Sequence, residues 1–151
     1  MSIAVPILIA AIAGLLFSIR HKDDFAILIS ACQVAAFALT ISGEGVVIWS
    51  GLIVFWASII MVMVYGFLSK DLNPGERTVL FLLALLMFVG LTFRMLSLDY
   101  ANELPLVTLC GVIVYLPVTS KGFYKKAAFG FVSFLVVVAV IDAWPLIQEW
   151  A

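Results

Sequence analysis

The sequence predicts an all-α, polytopic transmembrane bundle of about six helices, with both termini outside the cytoplasm. Three observations carry this. Of the 151 residues, 66% are hydrophobic and 11% charged, and the mean hydropathy is +1.27. So few charged side chains cannot clothe a water-facing exterior, so lipid must solvate most of it. The apolar residues fall in continuous runs, and the basic residues gather at alternate connections between them.

The runs are Ile3–Ile19, Phe25–Ser42, Val46–Leu68, Thr78–Leu98, Leu104–Thr119 and Ala127–Ile147. A helix crossing the hydrocarbon needs about 20 residues, within a range of about 17 to 25. The third, fourth and sixth runs fit, the first and second lie near the lower limit, and the fifth is short. Alternating strands are excluded because the runs are uninterrupted, and a helix satisfies its own backbone in hydrocarbon. The first run has no basic residue before it and no A-x-A site after it, so it reads as a retained helix rather than a signal peptide.

Each run carries some internal marking. Ala10, Gly14 and Ser18 recur every four residues in the first, a spacing for close helix packing. Gln33 is the strongly polar side chain near the middle of the second, and its amide needs partners inside the bundle. In the third, Ser50, Val54 and Ser58 are spaced by four and predict two hydroxyls on one face. Arg94, near the end of the fourth, is expected to snorkel toward the outer face with Asp99 or Glu103 as partner. Thr108, Gly111 and Tyr115 share a face of the fifth. Asp142, beside the aromatic belt of Trp144 and Trp150, is expected at headgroup depth near the outer end of the sixth. Bulky Phe55, Trp56, Phe81, Phe88, Phe131 and Phe134 are expected to face lipid or a partner.

Connections as short as SGEG and SKDLNPGER leave no room for a soluble domain, so residues 1–151 form one membrane domain. In SGEG, Glu44 stands in a tight outer turn whose freedom comes from Gly43 and Gly45. Charge then orients the bundle. Arg20, Lys22, Lys70, Arg77, Lys121, Lys125 and Lys126 follow the odd-numbered runs, leaving Arg94 alone among the acids of the other side. Basic residues in short loops resist translocation, so the odd-numbered turns are expected in the cytoplasm, in a multi-pass protein of the cell membrane. Asp23 and Asp24 are expected to balance Arg20 and Lys22 as solvated charges. Pro117, at the inward end of the fifth run, either stops that helix or forms a hinge.

Catalytic chemistry finds no foothold. His21 is the single histidine, and Cys32 and Cys110 lie apart without a C-x-x-C, which disfavours metal sites, cofactors and nucleophile–base pairs. The net charge of −1 offers no basic stripe for nucleic acid. The chain therefore does not read as an enzyme. Gln33, Thr108 and Tyr115 make a candidate polar path, with Pro117 as its candidate hinge. Arg94, Asp99, Glu103 and Asp142 are candidate charge contacts at the outer face.

The segments LCGVIVYLPVTSKGFYKK and IAAIAGLLFSIRHKDDF resemble the helices that open each repeat of the PQ-loop superfamily, which includes the SWEET sugar carriers and the YgjV-type bacterial inner-membrane proteins. That resemblance implies three-helix repeats, often joined by one linker helix, with an outward N-terminus. Pro117 stands at the proline of the motif, and Gly14 corresponds to Gly111. Val118 replaces the expected glutamine, Ser18 and Ile19 replace the pair in the first half, and six runs stand where seven helices are implied. Either a partner subunit supplies the last, or the fold has been recruited away from transport. The expected function is a non-catalytic accessory or interaction subunit of a larger membrane assembly, contacting the lipid bilayer and other membrane subunits or further copies of itself. The alternative is a small permease for a small polar solute.

Overall fold

A computed structural model of the chain describes residues 4–42, 45–96, 108, 122 and 125–150. These form five helices, α1 Ala4–His21, α2 Asp24–Ser42, α3 Val46–Leu68, α4 Pro74–Met95 and α5 Ala128–Trp150. Helices α2 to α5 each contain a stretch long and apolar enough to cross a membrane, and α1 is a shorter apolar helix. The all-helical bundle follows the predicted runs, with α5 answering to the sixth. Apart from Thr108, the run Leu104–Thr119 lies outside the described residues, as do Glu44, Cys110, Tyr115 and Pro117.

Local chemistry sets the helix ends. Only Lys22 and Asp23 separate α1 from α2, and Lys22 turns the chain at φ 53°, a left-handed conformation that stops α1. Asp23 Oδ1 then accepts the Ala26 amide at 3.0 Å and caps α2. Asp23 is thus a structural cap rather than the solvated counter-charge expected of it, whereas Asp24 is exposed. Gly45 opens α3 at φ 53°, as its place in the glycine turn predicts.

Helix α4 begins four residues before the apolar run does. The Asn73 side chain accepts the Glu76 amide at 2.8 Å, while the Glu76 carboxylate accepts the Asn73 amide at 3.0 Å. This reciprocal capping box, with Pro74 at the first helical position, starts a helix within a sequence whose polarity reads as loop. At the far end of the bundle, α5 continues through Pro145 to Trp150.

The helices pack in the order α4, α3, α2, α1, α5, and α5 returns to touch α2 as well. Phe131, Phe134 and Leu135 of α5 are fully or almost fully buried. Phe131 meets Tyr65 edge-on at 5.1 Å, and Phe134 meets Phe55 at 6.1 Å. Trp56 stacks on Phe88 at 4.8 Å and donates its indole N–H to Thr92 Oγ1 at 3.2 Å. These aromatics therefore join helices to one another, contrary to the expectation that they form an outer surface. Edge-on and offset rings add directional attraction to their area, which favours this pairing.

Where α1 crosses α5, backbone meets backbone. A Cβ on Gly14 would fall 2.6 Å from the Gly130 carbonyl oxygen. Ser18 donates to the Gly14 carbonyl at 3.0 Å and shares a 2.9 Å hydrogen bond with Ser30 of α2. The four-residue spacing of Ala10, Gly14 and Ser18 is thus a packing seam, as expected. The spacing in α3 works differently. Ser58 is buried and bonds the Phe55 carbonyl, while Ser50 is exposed and bonds the Val46 carbonyl. Ser50 thus stands where α3 is exposed and Ser58 where it is buried, so the two hydroxyls meet different surroundings.

Candidate functional site

Chain direction brings the end of α1, the start of α2, the end of α3 and the starts of α4 and α5 to one end of the bundle. Most of the basic residues gather here, and polar side chains tie the helices together. The Tyr65 hydroxyl donates to Asp23 Oδ2 at 2.8 Å, joining α3 to the cap of α2. Lys126, just before α5, places Nζ 2.5 Å from Glu76 Oε2, the oxygen that also accepts the Asn73 amide. Glu76 is 0% exposed and Lys126 is 21% exposed. A carboxylate with no access to water is tolerable because a cation and a backbone amide both meet it. Sequence reasoning missed both ties. The Asn73-x-x-Glu76 spacing was a legible signal for the cap, but nothing local marks Lys126 as its partner.

Cavities lie in the opposite half of the bundle. Two adjoining cavities of about 50 and 210 Å³ share Phe55, Leu91, Val138 and Asp142, so they form one cleft among α2, α3, α4 and α5. Thr108 lines the smaller cavity and Thr40 the larger. Thr40 donates its hydroxyl to the Ala36 carbonyl at 2.8 Å, which leaves its oxygen as an acceptor toward other groups.

Of the residues singled out from sequence, the structure brings Thr108 and Asp142 together at this cleft. Gln33 is not among its lining side chains. It is 1% exposed, one helical turn further into the bundle than Ala36 and Phe37, which do line the cleft. Among the described residues its Nε2 has no hydrogen-bond partner. Of the predicted path through Gln33, Thr108 and Tyr115, Thr108 lines the cleft, Gln33 does not, and Tyr115 lies outside the described residues. The backbone of Arg94 belongs to the last turn of α4; its side chain, with Asp99, Glu103 and the candidate hinge Pro117, also lies outside the described residues. Thr40 is a lining residue that sequence reasoning did not select, and Phe55, expected on an outer surface, lines the cleft instead.

Among the described residues the cleft is mostly apolar, with one carboxylate and two hydroxyls. Among the described residues no group of three His, Cys, Asp or Glu side chains is placed to hold a metal, and Cys32 forms no disulfide. His21 is exposed, stacked on Phe17 at 4.3 Å with Nδ1 3.0 Å from the Phe17 carbonyl oxygen. Compared with protein-family models, curated protein sequences and solved structures, the chain matches none.

Proposed function

We propose that this chain is a multi-pass inner-membrane protein, with both termini outside the cytoplasm, that serves as a non-catalytic accessory subunit of a larger membrane assembly. The supporting observation is how the polar side chains are used. Ser18 with Ser30, Trp56 with Thr92, Asp23 with Tyr65 and Glu76 with Lys126 each join one part of the bundle to another. Such pairing builds a rigid body, while large apolar side chains such as Ile9, Leu16, Ile53 and Phe67 lie exposed for lipid or a neighbouring subunit. Extraction in native lipid discs followed by mass measurement tests this. Particles containing the chain together with a second membrane protein are expected, and a solitary monomer overturns the reading.

A second reading has its own support in the cleft bearing Asp142 and Thr108, which suits a small solute and the permease function of the PQ-loop superfamily. Proteoliposome uptake distinguishes the two. Transport of a small polar solute that Thr108→Val abolishes favours the permease, and its absence across solute classes favours the accessory subunit.

A further inference from the structure

A groove between the end of α3 and the start of α4 carries chemistry that neither reading uses. It encloses about 320 Å³ and is lined by Gly66, Phe67, Pro74, Arg77, Thr78 and Phe81. Phe67 is 68% exposed and meets Phe81 edge-on at 5.1 Å, which gives the groove an aromatic wall. Arg77 is half-buried, and its Nε donates to the Leu72 carbonyl at 3.0 Å. That bond uses one of the five guanidinium N–H groups and anchors the plane that carries the rest. The adjacent acid, Glu76, is turned inside and paired with Lys126, so its charge is already matched. The exposed neighbours Lys70 and Asp71 offset each other.

We propose that this groove binds an anionic phospholipid, with Arg77 holding the phosphate and the Phe67–Phe81 wall packing along the acyl chain. The order of the groups along α4 matches that of a lipid. Arg77 stands in the first turn, and Phe81 follows about 6 Å further into the apolar span. An anchored guanidinium suits a phosphate because its fork donates two parallel hydrogen bonds. Basic pockets between membrane helices at the cytoplasmic side are where anionic headgroups collect. Thr78 is exposed beside Arg77, and its hydroxyl oxygen, already donating to the Pro74 carbonyl at 3.0 Å, can also accept from a headgroup hydroxyl.

Native mass spectrometry of the delipidated full chain, supplied with phosphatidylglycerol or phosphatidylcholine at equal concentration, tests the site. Wild type is expected to retain phosphatidylglycerol about fivefold better, the factor set by one cation at an anionic surface. Arg77→Gln should bring the two lipids level, Arg77→Lys should keep part of the preference, and Lys125→Gln, outside the groove, should keep all of it. Equal retention of both lipids by wild type overturns the proposal, as does an undiminished preference in Arg77→Gln. Displacement of phosphatidylglycerol by inorganic phosphate alone also overturns it, since that marks a site for free anions. Should Arg77→Gln fail to fold, the wild-type comparison and Arg77→Lys still separate these outcomes.

Discussion

Lys126 Nζ lies 2.5 Å from Glu76 Oε2, and the two residues are 50 positions apart in the chain. The pair joins the start of α4 to the entry of α5 at the end where the basic residues gather. Its two members differ in their access to water, and that difference governs what each substitution does.

Removing the cation should cost more than removing the acid. Lys126→Met removes an ammonium from a fully buried carboxylate, and breaking a buried pair costs about 3–5 kcal/mol. Glu76→Gln should cost less, about 1–2 kcal/mol, because a glutamine still serves the capping box and the partly exposed lysine can reach water. Unfolding in mixed micelles measures both, and a larger loss for Glu76→Gln than for Lys126→Met contradicts this ordering.

Two helical glycines should respond to alanine with opposite signs. At Gly14 the new Cβ would press on the Gly130 carbonyl, a backbone group that cannot swing aside, and overpacking of this kind costs about 1–3 kcal/mol. At Gly66 the nearest atoms would be 3.7 Å away, an ordinary contact. There the gain in helix propensity should stabilise by up to about 1 kcal/mol. Thermal melts of Gly14→Ala and Gly66→Ala in the same detergent compare them directly.

Gln33→Leu should leave the fold as stable as wild type or raise its stability by about 1–2 kcal/mol. A buried amide donor without a partner is a penalty that an apolar side chain of similar size removes. Denaturant titration of the variant beside wild type measures the difference. A loss of stability of the same size would show instead that the amide holds the bundle together.

The sequence alone determined that the chain is helical and apolar, and it located the five described helices to within a few residues. It also showed the packing seam of Gly14 and Ser18, because a repeat of four lies along one helix and needs no knowledge of its neighbours. Where a helix begins in polar sequence, as at Asn73–Glu76, hydropathy is silent although the cap spacing is legible. Tertiary structure alone decided which distant groups meet. Glu76 reaches Lys126, Tyr65 reaches Asp23, and Thr108 and Asp142 line one cavity while Gln33 stays one turn away. The reason is geometric. A residue's type and spacing record its position around its own helix axis, but its partner depends on how helices far apart in the chain are placed against each other, and no local pattern encodes that.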